Sequence, residues 1–279
     1  MIKRVSRKKL DVNKYTECLN KSVNYRIYAE VFYLDALVDN NWDCYVLNDY
    51  EAIMPLPFVK KFGFKFIVQP IYCQQLGVFH QENFSKETFL LFEKKLHRNL
   101  VRAYAFNEEN TEIFEPKGIK RVNQILDLQQ EIQLDNKTKK NIKSFINKKV
   151  ELKSNHNLEE IVNFKKANTN HRVDVNKLTT LAKVLLKNNK IKIDSCYQNN
   201  ELIAFSIFVK SKKRIIYLNS SANHFAKKLS APTGLIYHQI KKNDEFQYLD
   251  FEGSEISSIN HFFKGFGATE KFYINYKNL

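Results

Sequence analysis

Cys44-Tyr45, Asn48 and Ala52 recur as Cys196-Tyr197, Asn200 and Ala204, every position displaced by the same interval. Each set falls on a strand-turn-strand pattern, Trp42 to Val46 with Glu51 to Leu56 in one case and Asp194 to Val209 in the other, and each follows a stretch of helical period. A supersecondary unit that returns at a fixed spacing constrains the chain to two copies of one α/β fold. The length agrees: 279 residues, 43% of them hydrophobic, lie at the upper edge for one domain and suit two. We expect domains at 1–126 and 127–279. Seven Gly and five Pro are spread along the chain without a low-complexity linker, so the domains are expected to be closely apposed, with a cleft.

In the first half, Asn24 to Asp39 reads as a helix, Phe64 to Val68 as a strand, Lys86 to Leu100 as a basic amphipathic helix and Val101 to Phe106 as a strand. Pro55 and Pro57 imply that their strand ends at a sheet edge or bends. Between Gln69 and Phe79, Tyr72, Gln74 and Gln75 bring uncharged polar groups into an apolar run. This suits either a pocket wall that orients a ligand or a buried bend whose amides satisfy the backbone. Ile119 to Leu128 leads into the second half. There Lys137 to Lys153 is a basic stretch with Leu134, Ile142, Phe145, Ile146 and Val150 on one face. Leu158 to Asn189 is helical, with a polar break at His171-Arg172-Val173-Asp174.

Near the C-terminus, alternation over Tyr248-Leu249-Asp250-Phe251-Glu252 puts Asp250 and Glu252 on one face of a strand. Like charges one pleat apart call for a cationic partner, a ligand or a raised pKa. Gly253 and Ser254 break the strand. Ser254 or Ser257 can cap a helix carrying Ile259, Phe262, Phe263 and Phe266, Gly265 and Gly267 end it, and Phe272 to Tyr276 reads as a final strand.

The strand, the break and Phe263-Lys264-Gly265-Phe266-Gly267-Ala268 resemble the C-terminal motif of FemABX-like acyltransferases, a branch of the GNAT superfamily. Asp135-Asn136-Lys137-Thr138-Lys139-Lys140-Asn141-Ile142 resembles the basic helix that opens the second domain of that family; Lys139 and Lys140 stand where arginines are usual, and Lys149 where glycine is usual. The resemblance implies an α/β (α+β) fold of two tandem GNAT-like domains, each a mixed, mostly antiparallel central sheet flanked by helices. It also implies a bacterial N-acyltransferase using acyl-CoA or aminoacyl-tRNA as co-substrate, with no tightly bound cofactor. The acceptor would be an amine, for instance on a cell-envelope glycan or peptide precursor, bound in the cleft between the domains.

On this reading Asp250 or Glu252 accepts or orients the ammonium proton, Tyr217 supplies a phenolic proton, and backbone amides of the Ala204 to Phe208 strand stabilise the oxyanion. Tyr72, Gln74, Gln75, Asn219, Ser220, Ser254, Phe263 and Lys264 are the substrate-binding candidates, with Lys264 neutralising an anionic group or pairing with Glu252. The expected effect of Asp250→Asn is loss of transfer with little loss of stability. On the donor side the candidates are Lys139, Lys140, Lys228, Ser230, Thr233 and Gly234. The strand Arg214 to Ala222 leads to a helix that Ser230 can cap and Pro232 can open, a geometry that suits phosphate. The usual GNAT phosphate loop has glycines that let the backbone approach a pyrophosphate. Lys228, Ala231 and Thr233 replace that pattern here, as in Fem-type enzymes whose donor is an aminoacyl-tRNA.

Forty-five Lys and Arg against thirty Asp and Glu, a net charge of +15, suit a polyanionic partner such as tRNA or an anionic membrane surface, with peripheral contact at most. A noncatalytic GNAT-like module that binds RNA or an anionic precursor is the alternative. Four scattered cysteines, Cys18, Cys44, Cys73 and Cys196, form no Cys-x-x-Cys pair, and no apolar run reaches signal-peptide or transmembrane length. A reduced, cytoplasmic protein without a metal is therefore expected.

Overall fold

The computed structural model describes residues 1–148, 150–154, 157–168, 174–243 and 245–279. Lys149 and His171, Arg172 and Val173 of the expected polar break lie outside them. The chain forms two compact units, residues 1–121 with 272–279, and residues 122–271.

The first unit contains β1 (Ile2–Ser6), α1 (Val12–Lys21), α2 (Val31–Val38), β2 (Trp42–Leu47), β3 (Ala52–Lys61), β4 (Phe64–Ile67) and β5 (Phe79–His80). After these come α3 (Lys86–His97), β6 (Leu100–Val101), β7 (Tyr104–Phe106) and α4 (Glu108–Phe114). Its sheet runs β1-β2-β3-β4-β6, with β5 also on β3; only β4 and β6 pair in parallel. Trp42, Tyr15, Tyr28, Tyr33, Phe89 and Phe92 fill the core. Of the two expectations for Pro55 and Pro57, a sheet edge or a bend, the edge is corrected. β3 is an interior strand that pairs with β2 from Ala52 to Pro57, while on its other side β5 takes Ala52 and Ile53 and β4 takes Phe58 to Lys61. The prolines stand in the gap between those two partners, where a missing amide costs no ladder bond.

β8 (Ile119–Asp127) leads into the second unit. There follow α5 (Asn136–Asn147), β9 (Glu151–Ser154), α6 (Leu158–Ala167), α7 (Val175–Lys187), β10 (Ile191–Gln198), β11 (Glu201–Lys210), β12 (Arg214–Ala222), α8 (His224–Lys228), α9 (Ala231–Lys241), β13 (Tyr248–Asp250), α10 (Ser257–Lys264) and β14 (Thr269–Tyr276). The sheet order is β8-β13-β12-β11-β10-β9, antiparallel except for β12 with β13. From Phe272 onward β14 belongs to the first unit, where Ile274, Asn275 and Tyr276 pair with β7. Both units are thus mixed, mostly antiparallel sheets flanked by helices. Asp11, Ser85, Asn107, Asp135, Asn157, Asp174 and Asn223 each cap a helix through a side-chain oxygen.

The echo found in the sequence holds for burial: Cys44 and Cys196, and Ala52 and Ala204, are fully buried in β2-β3 and β10-β11 respectively. The registers differ, since Cys44 faces Pro55 whereas Cys196 faces Ala204. The single helical face drawn from Lys137 to Lys153 also divides: α5 buries Ile142 and Phe145, exposes Ile146, and ends before Val150.

Candidate functional site

The end of β12 in the second unit is where the sheet opens. β12 and β13 pair through Arg214↔Tyr248, Ile215↔Leu249 and Ile216↔Asp250, and there β13 stops. Asp250 ends it. Its Oδ1 accepts from the backbone N–H of Glu252 at 3.0 Å, and Glu252 (φ 57°) and Gly253 (φ 61°) turn the chain through the left-handed region. A Cβ at Gly253 would lie 2.4 Å from the Val122 carbonyl oxygen, so only glycine fits the turn. Phe251 N–H bonds to Gln124 of β8, away from β12. Tyr217 to Ala222 therefore run on with β11 on one side and no β13 on the other.

Which backbone groups face that open side follows from the ladder. Asn223 donates to Ile203, which makes Phe205 with Ser221 a bonded pair and Ser206 with Ser220 a non-bonded one. The amide and carbonyl of Ser220 thus point away from β11. Lys165 of α6 donates from Nζ to that Ser220 carbonyl at 2.7 Å. Lys165 is only 7% exposed, has no carboxylate within ion-pair distance among the described residues, and burial lowers its pKa to about 8. Next to Ser220, the Oδ1 of Asn219 is out of solvent without a partner among the described residues. A bulge at Leu218 interrupts the β11-β12 ladder at this point.

Tyr217 lies on the opposite face of the sheet, in the core with Phe208, Phe251, Phe263 and α9 residues Ile236 and Ile240. Burial raises its pKa, and the neighbouring Ser220 and Ser206 hydroxyls act in the other direction. The phenol is held protonated.

Several sequence expectations change here. Asp250 and Glu252 do not share a strand face, because the strand ends at Asp250. The cationic partner anticipated for Asp250 is Arg214, whose Nη1 lies 2.8 Å from Oδ2, while Asn123 Nδ2 donates to Oδ1 at 3.0 Å. This carboxylate is buried and tied on both oxygens. Lys264 pairs with Glu270 at 2.8 Å rather than with Glu252. Phe263 stacks on Phe251 in the core, with ring centroids 4.6 Å apart, and Ser254 Oγ accepts from Ile256 N–H instead of capping α10. The Ala204 to Phe208 amides lie between β10 and β12 and face those strands; the open backbone belongs to β12.

On the expected donor side, Ser230 adopts φ 60° and its side chain caps nothing, and Pro232 removes one amide from the first turn of α9. Thr233 is buried. Gly234 admits Phe145 rather than a phosphate, since a Cβ there would lie 2.3 Å from the ring, and its amide already bonds to Ser230. Lys228 and Lys140 are exposed. Lys139 lines a pocket of about 230 Å³ with Lys143, Ile142, Ile146 and Tyr237.

In the first unit, Gln75 is buried. Its Oε1 accepts from Glu108 N–H at 3.0 Å, as the backbone-satisfying alternative expects, while its Nε2 donates to the side-chain oxygens Gln74 Oε1 at 2.8 Å and Glu108 Oε1 at 3.3 Å. Tyr72 is half-buried, with its carbonyl accepting from Tyr33 at 2.6 Å. Among the described residues, no three His, Cys, Asp or Glu are grouped to hold a metal, and no helix is long and apolar enough to cross a membrane.

No family model and no curated protein matches the chain. Solved structures do. FemX aligns over 97% of this chain and 96% of its own at a TM-score of 0.68 and 9% identity. The fold is FemABX/GNAT-like. L-PGS from Bacillus licheniformis aligns over 96% and 92% of the two chains at TM-score 0.59 and 12% identity. A GNAT-family acetyltransferase from Colwellia psychrerythraea aligns over 99% and 100% at TM-score 0.57 and 11% identity. At these identities the likeness concerns the FemABX/GNAT-like fold itself, and in that fold the parallel pair β12-β13 is the feature that opens the second unit's sheet.

Proposed function

We propose that this chain is an N-acyltransferase that moves an acyl or aminoacyl group onto an amine, with its chemistry at the open end of β12. The observation that carries the reading is β12 outrunning β13 while the buried amine of Lys165 meets the Ser220 carbonyl at that edge. Acyl transfer to an amine needs a proton acceptor for the incoming ammonium, donors for the developing oxyanion and a proton for the leaving group. Lys165, about a tenth neutral at pH 7 with a pKa of about 8, is suited to accept the proton. The outward-facing Ser220 amide is the oxyanion donor, and the Lys165 ammonium formed by taking the amine's proton can return a proton to the leaving group; Tyr217, enclosed in the core on the other face, packs the strand rather than donating. Asp250 serves as a positioning residue: through Arg214 and the Glu252 amide it fixes where β13 ends.

The first turn of α9 offers few amides for a pyrophosphate, which favours an aminoacyl-tRNA over acyl-CoA as donor. Exposed Lys139, Lys140 and Lys143 on α5 suit the tRNA backbone. They equally suit the noncatalytic RNA-binding alternative, so the experiment must read transfer and binding separately. A cell-envelope precursor amine is the acceptor class we favour.

Bulk tRNA charged with radiolabelled amino acids is incubated with the protein and amine acceptors, and acetyl-CoA is titrated calorimetrically at low and raised salt. Loss of label from tRNA to an acceptor, reduced in Lys165→Met, is the expected result. Salt-resistant acetyl-CoA binding would reverse the donor assignment. Salt-sensitive tRNA binding without transfer from either donor would overturn the enzyme reading.

A further inference from the structure

The ends of β3 and β4 form a two-stranded ribbon that carries the most exposed large apolar side chain among the described residues, Phe62, 82% exposed at its turn. Phe62 (φ 51°) and Gly63 (φ 77°) make a tight two-residue turn with both central residues left-handed. The register pairs Lys61 with Phe64, Lys60 with Lys65 and Val59 with Phe66. One ribbon face therefore holds Val59 and Phe64, 41% and 62% exposed, continued by Leu100 of β6, which pairs with Phe66 and is 37% exposed. A folded chain leaves such a strip uncovered at a cost, and contiguous exposed apolar surface marks an interaction site.

Cations surround the strip. Lys60 and Lys61 have no acidic partner among the described residues, Lys61 lies over the Phe62 ring, and Arg102 lies over Phe66 at 4.5 Å. Lys65 and Arg4 share one carboxylate, Asp43, at 2.7 and 2.8 Å. The sequence from Ala52 to Gln81 contains neither Asp nor Glu. Lys65, directly across from Lys60, already shares Asp43 with Arg4, so Lys60 and Lys61 are the cations left for an external anion.

The shape selects among anionic partners. Single-stranded nucleic acid is held in basic grooves with aromatic floors, whereas this is a convex tip. A stable protein interface needs far more area than one turn and its flanking residues offer. A bilayer interface needs a small apolar wedge with lysines that reach back to the headgroups. We propose that the β3-β4 ribbon is a membrane-surface anchor that inserts Phe62 and Phe64 among anionic lipids, with Lys60, Lys61 and Arg102 at headgroup level. This inference does not depend on the acyl-transfer reading.

The test is sedimentation of the full chain with vesicles of equimolar phosphatidylglycerol and phosphatidylcholine, and with phosphatidylcholine alone. Expected are preferential partitioning onto the anionic vesicles and a loss of at least about tenfold in the Phe62→Ser/Phe64→Ser variant, corresponding to about 1.4 kcal/mol. Both side chains are exposed, and circular dichroism verifies that the variant remains folded. In Phe62→Trp, anionic vesicles should blue-shift the new indole's emission against the buried Trp42 background. Absence of partitioning overturns the proposal, as does partitioning that the double Ser variant retains. Phe62-dependent binding to poly(U) without vesicle binding would reassign the ribbon to nucleic acid and overturn it as well.

Discussion

Arg214 Nη1 and Asp250 Oδ2 meet at 2.8 Å across the parallel strands β12 and β13, with the two side chains 13% and 3% exposed. The pair ties Arg214, at the first rung between the strands, to Asp250, at the last rung before they part. Replacing Asp250 by Asn removes the charge-assisted bond to the half-buried Arg214 guanidinium and weakens the turn at Glu252, so Asp250→Asn should lose about 1.5–3 kcal/mol in urea unfolding. Arg214→Met/Asp250→Asn should lose less than the sum of the single changes, because each single change breaks the same contact. This reverses the expectation drawn from sequence that Asp250→Asn leaves stability nearly untouched. An unchanged unfolding midpoint in the single variant would show that the pair does not hold the strand end.

Gly234 lies inside α9, where alanine ordinarily stabilises a helix by about 1 kcal/mol. Here the added Cβ would meet Phe145 Cδ1 of α5 at 2.3 Å, within the layer that seats α9 on the sheet. Gly234→Ala should therefore destabilise by about 1–3 kcal/mol through overpacking. Phe145→Leu/Gly234→Ala should recover part of the loss, a coupling that thermal unfolding of the four-member cycle would measure.

The strands were legible because alternation and turn residues are local. Arg214 to Ala222 is read from sequence with the same bounds that β12 has in the structure. Glu252 was misplaced because alternation assumes that the strand continues, whereas the Asp250 carboxylate bends the chain one residue later. Lys165 was missed for the opposite reason: a lysine on an amphipathic helix is usually a solvated one. Its contact, the Ser220 carbonyl, is remote in sequence and belongs to the backbone, which no side-chain motif records. One signal was present. Lys165 stands four residues after Ile161, on the face that α6 buries, and a lysine in that register invites the question of what it reaches.

That question has a thermodynamic answer. Lys165 titrates at about 8 in the folded chain against 10.5 for the free side chain, so between those values the unfolded chain binds more protons than the folded one. Stability contributed through this group therefore rises with pH across about 8 to 10.5, and below 8 the full penalty of burying the ammonium is present. Lys165→Met loses one hydrogen bond to Ser220 but removes that penalty, so it should gain about 1–3 kcal/mol at pH 7 and flatten the rise above pH 8 in denaturant titrations. Lys165→Arg should remain charged throughout, keep the penalty at every pH and also lack the rise, because a guanidinium does not titrate in this range. If Lys165→Met were instead less stable at pH 7, the Ser220 bond would outweigh the desolvation, and the lysine would be a structural brace for the open edge of β12. A gain in stability, paired with loss of transfer, is the signature of a residue whose place in the fold is held by its chemistry.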